Sequence, residues 1–228
     1  MTYIDLINTV LRRLREDSIS TTASWSGSLI SANTLTDYQI MIGDIVNEAK
    51  REVEDAWNWS ILRSSPTITT VANTQQYNVT GTNERTRILM AQEQTNGTIL
   101  QEMSDPYLQF MKYPASSVQK TIPHYYSVTG IDTSTNEIVV EFEPVPDAAY
   151  NITFRVVNPQ NDLSLATDTL RVPHYPVMLG ALARAIAERG EDGGQMSDMI
   201  AMQYQNALAD AIQIDAGRTV GEVDFYAS

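Results

Sequence analysis

The side chains whose types and spacing fit chemistry are few, and nearly all are carboxylates. Glu141 and Glu143 stand two apart in the alternation IVVEFE, which on a strand puts both on one side. Two carboxyl groups about 5 to 9.5 Å apart are what glycoside hydrolysis needs, one as acid and the other as nucleophile or base. Aromatic platforms for a sugar are sparse here, and acids two apart on a strand are common on exposed faces. Asp44, Glu48 and Glu52 recur every four residues, aligned as a metal-binding or acid–base row would be. No histidine joins them, and like charges at that spacing repel, which favours a solvated acidic face. His124 and His174 lie far apart, each between bulky or proline neighbours. The absence of cysteine excludes disulfides, thiolate zinc sites and a cysteine nucleophile. The glycines of EDGGQMS lack the lysine of a P-loop and the spacing of a dinucleotide loop, and read as a helix stop. No residue is therefore assigned to catalysis, cofactor binding or metal binding.

The charge balance bears on partners. Against 28 acids the chain has 15 Lys and Arg, a formal charge of -13, which disfavours a tight grip on phosphates. Transient passage of DNA beside a repelling surface is compatible with it, and so is plain solubility. The 228 residues suit one domain, or one domain of two lobes, and 43% hydrophobic residues support a packed core. No apolar run approaches the about 20 residues needed to cross a bilayer, so no membrane insertion is expected. The start, MTYIDLINTVLRRL, lacks the basic, apolar and cleavage regions of a signal peptide, so synthesis in a cytoplasm is expected.

The elements that position these residues follow from periodicity. Ile4, Ile7, Leu11 and Leu14 share a helical face, Thr2 and Asp5 approach a capping box, and Arg12, Arg13 and Arg15 suit the dipole at the far end. Residues 18–35, rich in Ser and Thr, form a long loop whose Trp25 either folds back onto the helices or anchors a neighbouring chain. Thr36 and Gln39 cap a second helix with a stripe of Tyr38, Ile42, Ile45, Ala49, Val53 and Ala56. On its exposed side the spacing pairs Lys50 with Glu54 and Arg51 with Asp55. Trp57 and Trp59 cannot both face that stripe, and Pro66 ends the helical region.

Seven short β-branched or aromatic segments follow: TITTV, QQYNV, RTRILMA, GTILQE, HYYSV, NEIVVEF and NITFRVV. SDPYLQFMKYP interrupts them as a short helix or turn, with Ser104 and Pro106 at its start. The last two strands, with Pro144 and Pro146 between them, read as a stiffened hairpin. LRVPHYPVMLGALARAIAERG is a small-residue helix ended by Gly190. A final helix carries Ile200, Tyr204, Ala207, Ala211 and Ile214 on one face and should pack antiparallel to it. GRTVGEVDFYAS then alternates loosely; such a tail either frays or adds as a strand to another protein, and we expect the second. The expected fold is α+β: about four helices in a bundle (1–64 and 161–216), an inserted, mostly antiparallel β lobe (65–160) and an extended tail (217–228).

That order resembles the head-to-tail adaptor, or tail tubular protein A, family of short-tailed bacteriophages. The likeness rests on the opening Tyr3–Leu14 helix, IVNEAKREVEDAWNWSILR, IVVEFEPVPDAAYNITFRVV and PVMLGALARAIAERG, and covers most of the chain. The resemblance implies a virion protein without enzymatic activity. Such proteins form a ring, commonly a dodecamer, at the head–tail junction, between the portal protein and the tail nozzle protein, and the genome leaves through the bore. In such a ring the tail, through Arg218, Val220, Val223, Phe225 and Tyr226, is expected to wedge into the portal. Trp25, Pro144 and Pro146 become candidates for subunit or tail contacts. Two other readings remain: a β-lobe module binding a tail fibre or surface ligand, and the Glu141/Glu143 glycoside hydrolase.

Overall fold

The computed structural model describes residues 1–20, 35–112, 119–190 and 195–218. In chain order the helices are α1 (Tyr3–Arg13), α2 (Asp37–Ala56), α3 (Asp105–Lys112), α4 (His174–Arg189) and α5 (Gln195–Ala216). The strands are β1 (Arg63–Ser64), β2 (Thr67–Thr69), β3 (Gln76–Asn78), β4 (Arg87–Glu93), β5 (Ile99–Glu102), β6 (Tyr125–Ile131), β7 (Ile138–Glu143) and β8 (Asn151–Val157). The chain is α+β and divides into two units, Met1–Leu62 with Gln160–Ser228, and Arg63–Pro159.

In the first unit, α1 and α2 both begin in full capping boxes, Thr2 with Asp5 and Thr36 with Gln39, which satisfy two otherwise orphaned N–H groups at each start. Ile4, Ile7, Leu11 and Leu14 are buried as their spacing predicts, and so are Tyr3, Leu6 and Val10, so α1 is enclosed on more than one side. The Tyr3 and Ile4 amides donate to the carbonyls of Asp168 (2.8 Å) and Ala166 (3.2 Å), so the irregular segment after residue 160 closes over the helix start.

The α2 stripe holds for Ile42, Ile45, Ala49 and Val53, whereas Ala56 is exposed. The larger correction concerns Lys50 and Glu54. They are fully buried, because a second row of α2, running through Val46, Lys50 and Glu54, meets the chain at Gln160–Leu163. Lys50 Nζ lies 3.4 Å from Glu54 and donates to the carbonyls of Gln160 (2.7 Å) and Asn161 (3.1 Å), while the Gln160 amide donates to Glu54 (3.3 Å). Asn47 bonds both the amide (2.9 Å) and the carbonyl (3.0 Å) of Leu163. Arg51, on the exposed side, forms an ion pair with Asp162.

Helix α4 packs against α1, α2 and α5. Its early residues Val177, Met178, Leu179, Ala181 and Leu182 are buried, and Gly190 ends it in the left-handed conformation, φ 63°. The small residues let α5 approach: a Cβ built on Gly180 would lie 3.3 Å from the Tyr204 ring and 3.2 Å from the Arg184 guanidinium. Gly180→Ala is expected to be nearly neutral, since about 1 kcal/mol of helix propensity offsets the crowding. Gly180→Val, which drives branched carbons into a rigid ring, should cost about 1 to 3 kcal/mol in a thermal or denaturant melt. On α5, Ile200, Tyr204 and Ala207 are buried and Ala211 is half-buried. Ile214 is exposed, contrary to the predicted face. Its place is taken by Asp215, 4% exposed, which accepts from the Ser60 amide (2.9 Å) and hydroxyl (2.5 Å).

In the second unit all seven predicted strands form, within one eight-stranded sheet of order β1-β8-β4-β5-β6-β7-β3, with β2 also pairing to β8. Every pairing is antiparallel except β5 with β6. Alternation places Ile152, Phe154 and Val156 of β8 and Val140 and Phe142 of β7 in one core, where Tyr126 meets Phe154 edge-on at 5.6 Å. The two-residue β1 is too short to leave a periodic signal; its residues read as the end of the preceding helix.

The segment around Pro144 and Pro146 is not a hairpin. Strand β7 lies between β6 and β3, and β8 joins β1, β2 and β4, so the two never pair. Their connection is stitched to other loops: Asn73 donates to the Pro146 carbonyl (2.8 Å), Thr121 to that of Val145 (3.1 Å), and Thr70 to that of Tyr150 (2.9 Å). Val145 and Pro146 are buried and Pro144 is half-buried. Two alternating runs around a proline turn look the same in sequence whether they pair with each other or with other strands.

Candidate assembly surfaces

The carboxylates that opened the sequence reading are placed as follows. Glu141 is buried on β7, opposite Ser127 and Gln76, and accepts from the Gln109 amide of α3 (3.4 Å); Glu143 accepts from the Gln75 amide (3.5 Å). Asp44, Glu48 and Glu52 are exposed, and Glu52 is paired with Arg184 of α4. Among the described residues no three metal-type side chains converge.

Turn acids in the second unit carry a pH signal. Glu93 is buried at the end of β4; burial opposes its ionisation, but the amides of Asn96 (2.7 Å) and Thr95 (2.8 Å) donate to it and hold its carboxyl below the usual range. Asp132 accepts from the Ser134 hydroxyl (2.6 Å) and amide (2.8 Å) and from the Asn78 side chain (2.7 Å), and is lowered to about 2. A carboxyl depressed in the folded state stabilises above its unfolded pKa and loses that contribution as pH falls through the folded one. Stability of this unit should therefore hold at neutral pH and fall as acid is added below about pH 4, toward pH 2. In Glu93→Gln the acid-induced part of the loss should shrink, which parallel melts across that range will read.

Two grooves open in the first unit among its described residues, and neither is lined by Glu141 or Glu143. The larger, about 480 Å³, lies between the start of α4 and the end of α5. Its floor is apolar: Met1, Trp59, Ile61, Leu170, Val172, Pro173, Ala211 and Ile214. Trp59 is held by its indole N–H donating to the Val53 carbonyl (2.6 Å), and the turn Ser60–Leu62 by Asp215. Arg171, His174, Asp215 and Arg218 complete the lining. Among the described residues neither the Arg171 nor the Arg218 guanidinium is in an ion pair. The smaller groove, about 320 Å³, runs over Gly180, Ala183 and Ala187 of α4 and Ala201 and Tyr204 of α5, beside the Glu52–Arg184 pair. Burial, then the neighbouring Glu52 carboxylate, raises the Tyr204 phenol. Beyond it α5 exposes Met196, Met199 and Met202 at steps of three.

Of the residues assigned to contacts from sequence, Arg218 lies in the larger groove, and Pro144 and Pro146 lie in the connection between β7 and β8. Trp25, Val220, Val223, Phe225 and Tyr226 lie outside the described residues. Sequence reading missed Ile61, Arg171 and Ile214 as groove residues. Ile61 was hidden in a segment read as helix end, and Ile214 was assigned to the buried seam; their common signal is an apolar side chain that falls out of phase with its neighbours. Among the described residues no helix is long and apolar enough to cross a membrane.

No curated protein matches the chain. One family model does, that of the SU10 adaptor protein, and it spans residues 1–223. The chain therefore belongs to the SU10 adaptor protein family, as a structural adaptor of a phage virion.

Proposed function

We propose that the protein is a head-to-tail connector: copies form a ring between the portal protein and the tail nozzle, and double-stranded DNA passes through its bore. The match to an adaptor family along nearly the whole chain carries this reading. Two features support it. The chain is strongly acidic, so a bore lined by it would not retain phosphates through counterion release. The first unit also exposes apolar grooves and a methionine row of the kind that adapts to partner surfaces. In this reading α1, α2, α4 and α5 act as one bundle, residues 217–228 are an extended tail that engages the portal, and the protein has no catalytic step. The site of action is the head–tail junction.

A mass measurement on the purified chain, alone and after mixing with portal, tests the order of assembly. The chain alone should be a monomer, and the mixture should contain a closed ring of copies on the portal. A stable ring formed by the chain alone would contradict assembly on the portal.

A further inference from the structure

The larger groove lacks an assigned occupant, and the chain runs directly from it. Arg218 lines the groove, and the residues that follow are TVGEVDFYAS. Their chemistry mirrors the lining. Val223 and Phe225 alternate with Glu222 and Asp224, so in an extended stretch the apolar pair faces one way and the acids the other. The groove offers an apolar floor, the carboxylate of Asp215, which accepts from Ser60, and two guanidiniums, Arg171 and Arg218, that pair with no carboxylate among the described residues. In a chain with 28 acids and 15 bases, two such cations beside one apolar depression mark a place for an acidic, apolar peptide. Reach is no obstacle: the seven residues that follow Arg218, through Phe225, span up to about 25 Å, and Gly221 permits the chain to reverse.

We propose that the groove of Trp59, Ile61, Leu170, Arg171 and Ile214 is the docking site for residues 219–228 of the same chain. Phe225 sits on the apolar floor, and Glu222 and Asp224 face Arg171 and Arg218. A protomer so arranged covers its own apolar groove until a partner competes for the tail. The inference is independent of the connector reading, because it concerns one chain and holds whether or not that chain joins a ring.

The absence of native cysteine makes the test clean. The full-length chain is made with Ile61→Cys and Ala227→Cys, and separately with Gln213→Cys and Ala227→Cys. Gln213 is exposed, lies closer in sequence to the tail than Ile61, and is not part of the groove. A tail without a fixed place would react with Gln213→Cys at least as fast as with Ile61→Cys. The docked tail should close the Ile61 pair within one chain roughly tenfold faster, at a rate independent of protein concentration. Adding Phe225→Ala or Arg171→Glu should erase that preference, and Asp224→Arg should restore it in the Arg171→Glu background. Equal rates for the two pairs, or disulfides that form between chains, would overturn the proposal; the second result would assign the groove to a neighbour's tail.

Discussion

Lys50→Met is expected to lower the unfolding free energy by about 3 to 5 kcal/mol, a large share of the about 5 to 15 kcal/mol available to a folded domain. The reason is the geometry around a cation with no exposed surface. Its ammonium supplies donors to two backbone carbonyls and faces the equally buried Glu54. Without it, Glu54 is left as a buried charge, and the Gln160 and Asn161 carbonyls lose this donor. Methionine fills similar space but donates nothing. The double variant Lys50→Met with Glu54→Leu should recover part of the loss, since it removes both charges yet leaves the carbonyls without Lys50. Arg51→Met, which breaks the exposed pair one residue away, should cost no more than about 1 kcal/mol. Urea titrations followed by circular dichroism will separate the three variants. Equal small losses for Lys50→Met and Arg51→Met would mean that the buried pair does not tie the segment after residue 160 to α2.

The second large effect concerns attachment. Deleting Gly217–Ser228 is expected to reduce co-sedimentation with portal by roughly 100-fold or more in apparent affinity, with the circular dichroism of the chain unchanged. The size of the effect comes from repetition. A modest contact made by each copy around a ring multiplies into a strong total, and removing it from every copy removes the product. The fold should survive because the described elements end at Ala216, and the contacts that anchor α5, such as Asp215 with Ser60, precede the deletion. Unchanged co-sedimentation would retire the tail as the attachment element.

How much of this was legible in the sequence depended on whether the deciding interaction is local. Both capping boxes, the α1 face, the stop at Gly190 and all seven called strands could be read directly, since each is set by residues within one or two turns of one another. Lys50 with Glu54 has the spacing of an exposed helix pair; only the return of the chain at Gln160–Asn161 buries it. The same limit applies to β8, whose partners β1, β2 and β4 lie far off in sequence, and to the pairing of β7 with β3. On α5 the helical period points to Ile214, but Asp215 goes inward because Ser60 offers it two donors. The candidate surfaces were less legible than the fold. The groove gathers Met1, the Trp59–Ile61 turn, Leu170–His174 and the end of α5, four stretches that no local pattern joins.

The central claim is that copies of this chain surround an open passage. Imaging of the neck of the native particle, averaged without imposed symmetry, tests it most directly. The account predicts a closed ring of protomers between portal and tail, with an open channel on the axis. Single protomers bound off the axis, or no ring density for this chain at the junction, would contradict it.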